Sequence, residues 1–203
     1  MLRPRPLYCA IAPHHRDSAL AEDVCDGRFS LLGTTVEVGW PVDWRAAGLP
    51  DDEEWRILWH KFPYGLDLAH AFRTTGERRF LDAWQDLALS FLDQVPFGTG
   101  IDSSDVIGRR IANWIFAWDL FAGAGDFPGL RPGAAERLLD GLSRQLEHLL
   151  ADLTPARNHR TLELAAVFNA ALAFPQLDPA GDRLAFAVAE LDRNLHTDFL
   201  ADG

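Results

Sequence analysis

"WRILWHKFPYGLDLAHAFRTTG", Trp55 to Gly76, carries the pattern that decides the fold. Trp55, Leu58, Trp59, Phe62, Leu66, Ala69 and Phe72 recur at steps of three and four, the spacing at which side chains share one face of an α-helix. Pro63 interrupts the run. Its ring crowds the preceding turn and it has no N–H to donate, so a kink or break is expected near Phe62. The acids Asp51 to Glu54 precede the run and suit the positive end of a helix. Gly76 stands where a C-cap is needed.

The same period continues downstream. A second helix carries Phe80, Trp84, Leu87, Ala88, Phe91 and Leu92 and stops at Pro96. A third carries Val106, Ile107, Ile111, Trp114, Ile115, Trp118 and Phe121, and is apolar nearly all round, which predicts a central position. Leu138, Leu139, Leu142, Leu146, Leu149 and Leu150 mark a fourth. "TPARNHRTLELAAVFNAALAFP" (Thr154–Pro175) holds a fifth, and a sixth runs from about Pro179 to His196. Short loops between helices of similar length imply antiparallel neighbours. Periodicity leaves bundle, solenoid and (α/α) toroid open.

The first fifty residues read differently. "GRFSLLGTTVEVG" (Gly27–Gly39) has a β-branched run among glycines and predicts two short strands around a turn at Gly33. The following stretch, rich in Pro, Gly and acids, predicts an extended arm. The expected organisation is an N-terminal arm at 1–50 and a helical domain at 51–203.

Composition narrows the function. Thirty acids against nineteen bases give a net charge of −11, which opposes nucleic-acid binding, a task that needs a basic face. Eighteen of the nineteen bases are Arg, with Lys61 the exception. Seven Trp and thirteen Phe can fill a core and can also stack on sugar rings. No apolar run is long enough for a signal peptide or a membrane helix, so the expectation is a soluble, by default cytoplasmic, protein without a membrane partner. Cys9 and Cys25 fit no metal pattern, and their pairing stays open. HExxH, zinc-spaced Cys pairs, calcium loops, phosphate-cradling Gly loops and GxSxG are all missing, so neither metal nor cofactor is expected.

Three clusters could carry chemistry. His60 and Tyr64 lie four residues apart at the proline break, where an ordinary aromatic helix face would also place them. Arg110, Asn113 and Trp114 share a face of the central helix. There Arg110 must either reach a cleft or find an ion-pair partner, with Arg109 facing solvent. Finally, Arg157, Asn158, His159 and Arg160 crowd the start of the fifth helix. A cap by Thr154 or Asn158 and a Glu163–His159 pair would account for only part of this cluster. A helix N-terminus with these side chains suits an anion.

In this order the motifs resemble the N-terminal helical domain of the heparinase II/III-type polysaccharide lyases. They are "F-x-L-L-G" (Phe29–Gly33), "D-W" (Asp43–Trp44), "W-x-x-x-W-H-K-F-x-Y" (Trp55–Tyr64), "A-F-R-T-T-G-E-R-R-F" (Ala71–Phe80), "R-I-A-N-W" (Arg110–Trp114) and "N-H-R-T-L-E" (Asn158–Glu163). The resemblance spans roughly residues 27 to 200. It implies an all-α, incomplete (α/α) toroid with a short irregular or β N-terminal arm, and a family often periplasmic or secreted. In the family a β-sandwich domain follows, and uronate-containing polysaccharides are cleaved by β-elimination. A Tyr assisted by His moves the proton, while the uronate carboxylate is neutralised to stabilise an enolate-like intermediate.

Carried over by motif, Asn158 would neutralise the carboxylate with His159 in support. Arg110, His60, Trp114, Arg157 and Tyr64 would meet the substrate. Neither Tyr8 nor Tyr64 matches the family's base, which would follow the segment reached at "LADG" (Leu200–Gly203). The chain is thus expected to be the toroid part of a lyase for acidic polysaccharides, lacking the rest of the toroid and the sandwich, and inactive alone. A noncatalytic carbohydrate-binding or scaffold protein is the alternative. A glycoside hydrolase would need two carboxylic acids facing one cleft, and Asp102, Asp105 and Glu163 show no such spacing.

Overall fold

The computed structural model describes residues 2–7, 18–155 and 157–198. Eight helices and one hairpin are found among them. They are α1 (Ser18–Cys25), β1 (Arg28–Leu31), β2 (Thr34–Glu37), α2 (Glu53–Lys61), α3 (Tyr64–Thr75), α4 (Arg78–Gln94), α5 (Ser104–Ala122), α6 (Ala134–Ala151), α7 (Arg157–Ala173) and α8 (Asp182–Asp198). A single 3-10 turn, Pro175–Leu177, joins α7 to α8.

The run from Trp55 to Gly76 is two helices. The Asp52 carboxylate accepts from the N–H groups of Glu54 and Trp55 and caps α2, while Glu53 and Glu54 sit in its first turn. Phe62, at φ 61°, ends α2 in the left-handed region, and Pro63 then begins the approach to α3. Gly76, at φ 72°, closes α3 with its N–H on Phe72 O, a conformation glycine adopts without a Cβ clash.

The strands pair antiparallel, with Arg28 opposite Glu37 and Leu31 opposite Thr34. Their turn holds Leu32 at φ 52° and Gly33 at φ 77°, the double-positive geometry that matches hairpin twist. Helix α1 was not legible in the opening residues. It is short, and only Ala21 and Val24 on it are buried.

Three hairpins, α3–α4, α5–α6 and α7–α8, pack in succession, with α5 between α3 and α7 and α4 beside α6. The result is an incomplete (α/α) toroid. Helix α5 also touches α2, and its Val106, Ile107, Ile111, Trp114, Ile115, Ala117, Trp118 and Phe121 are buried, as its all-round apolar sequence requires. Helices α5 and α7 run parallel: Gly108 lies against Glu163 near their starts, and Trp118 meets Phe174 at a tilt, ring centres 4.8 Å apart, near their ends. This direction brings both N-termini to one end of the domain.

The arm is fastened to the helices rather than free. Trp44 stacks on Trp59 at 4.4 Å and Phe62 at 5.2 Å, and meets Phe91 edge-on at 5.1 Å. Its backbone N–H donates to Gln94 Oε1 and its indole N–H to Ser90 Oγ, both at 3.0 Å. Phe29, Leu31, Val42 and Trp44 belong to the same buried cluster as the helices.

Candidate functional site

At the shared end of α5 and α7, three elements converge on Asp105. Lys61 Nζ, from the last turn of α2, lies 2.7 Å from Asp105 Oδ2. His159 Nδ1, in the first turn of α7, is 3.6 Å from Oδ1, and Arg109 Nε is 3.9 Å from the same oxygen. Asn113 holds the base of this group by donating to the Lys61 carbonyl at 2.7 Å. Asn158, next to His159, is exposed. Two cations and a histidine around one carboxylate, beside two positive helix ends, make a surface that favours an anion.

The Asn158 side chain is not a cap outside the helix, because α7 already begins at Arg157. Thr154 instead turns its N–H and hydroxyl to Glu163, at 2.8 and 2.7 Å. The expected Glu163–His159 pair is therefore replaced by Glu163–Thr154, and His159 turns to Asp105. Arg160 leaves the surface too: it donates to Thr154 O at 3.0 Å and pairs with Glu190 of α8. The side chain of Arg157 lies outside the described residues, as do Tyr8 and Cys9.

Arg110 does not face this surface. It is fully buried, with its guanidinium donating to both Asp102 oxygens (2.6 and 3.2 Å), to Gln145 Oε1 (2.6 Å) and to His60 O (3.2 Å). Its charge also lies 4.3 Å from the centre of the Phe91 ring. Trp114 is likewise core, packed on Phe62 and Phe91. Neither side chain reaches an open surface, so a ligand would feel them only through the residues they position. Among the acids that a hydrolase could use, Asp102 is held by Arg110 and Glu163 by Thr154, and both are buried. They do not face one cleft.

His60 and Tyr64 part company at the helix break. Tyr64 is buried and donates its hydroxyl to Trp59 O at 3.1 Å, and burial pushes its pKa well above the ordinary value. It borders a small cavity of about 220 Å3 with Phe29, Leu58 and Asp67. His60 instead lines a separate cleft of about 490 Å3 with Trp44, Arg45, Arg56, Trp59, Gln94 and Thr99. Burial, and next the Arg110 charge, lower the His60 pKa to about 4, against an opposing pull from Asp102. The ring is neutral near pH 7, and its Nδ1 has no hydrogen-bond partner.

This cleft and the Asp105 cluster flank the start of α5: Ile101 borders the former and Asp105 centres the latter. Asp105 is the residue motif reading missed in this role. Its partners lie 44 and 54 positions away in the chain, and only the packing of both α2 and α7 on α5 joins them. Among the described residues no cluster of ligating side chains could hold a metal ion, and no helix is long and apolar enough to cross a membrane.

A family model described as heparinase II/III N-terminus matches residues 16–203. A solved heparinase III with methylated lysines superposes with a TM-score of 0.78 at 17% identity, covering 96% of this chain and 33% of that one. The heparan sulfate lyase HepC from Pedobacter heparinus gives 0.73 at 17% identity, covering 98% and 32%. Another heparinase III gives 0.76 at 14% identity, covering 97% and 32%. The chain thus spans about a third of the length of the solved structures it matches. A search of curated proteins finds no match.

Proposed function

Because this chain belongs to the heparinase II/III family through its N-terminal domain, we propose that it is the carboxylate-binding toroid of a lyase for uronate-containing polysaccharides. The observation that carries this reading is the exposed Asn158–His159 pair at the head of α7, beside Lys61 and Asp105. The solved relatives named as heparan sulfate lyase and heparinase III support the substrate class.

β-Elimination removes the proton on the carbon next to the uronate carboxylate and expels the glycosidic oxygen. Charge accumulates on that carboxylate as the proton leaves, so donors aimed at it lower the barrier. The Asn158 amide can donate there. His159, 3.6 Å from Asp105, can donate a hydrogen bond, and Lys61 and Arg109 add a positive field around it. The neutral His60 can hydrogen-bond a sugar in the adjoining cleft without adding charge.

The described residues supply no base of the needed kind. Tyr64, the described tyrosine, is buried with its hydroxyl committed to Trp59 O, so it can neither reach a sugar carbon nor ionise readily. The isolated chain accordingly binds substrate but does not cleave it, and the base comes from outside this domain. The test is ultraviolet absorbance of the unsaturated uronate product, with heparan and other polyuronates as substrates. The chain alone yields none. In a longer lyase carrying this domain, Asn158→Ala lowers turnover by about 100-fold or more, in line with the loss of one oxyanion donor. Product from the isolated chain, or full turnover in the variant, contradicts the proposal.

A further inference from the structure

A second cleft, of about 470 Å3, shares no lining residue with the one that His60 borders. Its lining joins Trp40 and Val42 of the arm to Ser90 and Asp93 of α4 and to Arg131 and Arg137 around the start of α6. Trp40 is 42% exposed, whereas each of the chain's other six tryptophans is no more than 3% exposed. An exposed indole offers a flat apolar face with a polar N–H edge, a combination enriched where proteins meet their partners.

The polar walls are arranged as charge pairs. Arg131 pairs with Asp86, and Arg137 Nη2 lies 2.5 Å from Asp93 Oδ1. The Arg131 backbone is fixed as well, its N–H donating to Gln85 Oε1 at 2.7 Å. Two guanidiniums and two carboxylates cancel in charge, so the cleft does not select an ion. They still present planar donors and acceptors beside a flat aromatic face. A pyranose ring matches that set: its axial C–H face stacks on an indole, and its vicinal hydroxyls bridge carboxylate and guanidinium groups. The volume suits one or two sugar rings.

We propose that this cleft is a glycan-holding site for uncharged saccharide segments, separate from the carboxylate-binding end of α5 and α7. It requires none of Asn158, His159 or Asp105, so it stands whether or not the lyase reading does.

The chain's tryptophans make the test direct. Since Trp40 alone is exposed, it accounts for nearly all fluorescence quenching by acrylamide. Cellotetraose has no carboxylate for the α7 end to bind. At millimolar concentration it should lower the quenching constant at least about twofold. The protection should persist in about 0.5 M salt, where an attraction between exposed charges is largely screened. Calorimetry should show cellotetraose binding lost in Trp40→Ala and in Arg137→Ala, each with unchanged helical circular dichroism, and retained in Asn158→Ala. Unchanged quenching overturns the proposal. So does binding that survives Trp40→Ala, or binding that disappears in Asn158→Ala.

Discussion

At Arg110 a guanidinium that could grip a carboxylate is used inside the fold. Asp102, Gln145 and the His60 carbonyl take its donors, and removing one partner of a buried pair like this costs about 3–5 kcal/mol. Its position on the central helix was legible, but its partner was not, because choosing Asp102 over a substrate requires knowing where the loop before α5 folds. His60 next to this network carries a testable consequence. Its folded pKa of about 4 lies below the ordinary 6.5, so the unfolded chain takes up a proton that the folded chain refuses. Stability is therefore fully present above about pH 6.5 and falls as pH drops towards 4. For this 8%-exposed ring the loss amounts to about 3 kcal/mol. Urea midpoints measured between about pH 7 and 4.5 should fall more steeply for the native chain than for His60→Gln. Parallel curves for the two proteins would refute the buried-neutral assignment.

Among the elements, most helices could be read from the sequence because each buries a broad apolar stripe, and Pro63 and Gly76 punctuate α2 and α3 where backbone chemistry demands it. The exceptions were set by tertiary contact. Helix α1 has only two buried residues, and the arm's course is fixed by Trp44 stacking on residues 15 and 18 positions away. The site likewise depends on how closely α5 approaches α7. A Cβ on Gly108 would lie 3.3 Å from Glu163 Cα, tighter than ordinary packing, and 3.5 Å from Glu163 Cγ, an ordinary contact. Gly108→Ala should push the helices apart by a few tenths of an ångström, cost about 1–2 kcal/mol in chemical denaturation, and weaken saccharide binding at the α7 end. A variant as stable as the native chain, with unchanged binding, would show that this close approach does not position the site.

For the whole molecule, a net charge of −11 has to coexist with the proposed affinity for a polyanion. The structure reconciles them locally: Lys61, Arg109 and His159 gather at the end where α5 and α7 both begin, while many other acids are paired along the flanks. Family membership and toroid were legible from ordered motifs, and so was the polar cluster of the "N-H-R-T-L-E" segment. Which of those polar residues stay at the surface was not. Arg160 turns to Glu190, and Asp105 enters from a distant helix, and both outcomes are products of helix packing. On the proposed function, this end of the domain recognises a uronate carboxylate. Calorimetry on the chain should compare a glucuronate–N-acetylglucosamine tetrasaccharide with the same sugar after its carboxyls are reduced to alcohols. The acid form should bind, and its binding should weaken about tenfold on carboxyl reduction and about as much in Asn158→Ala, consistent with loss of a charge-assisted hydrogen bond. Equal affinity for the two sugars, or full affinity in Asn158→Ala, would contradict it.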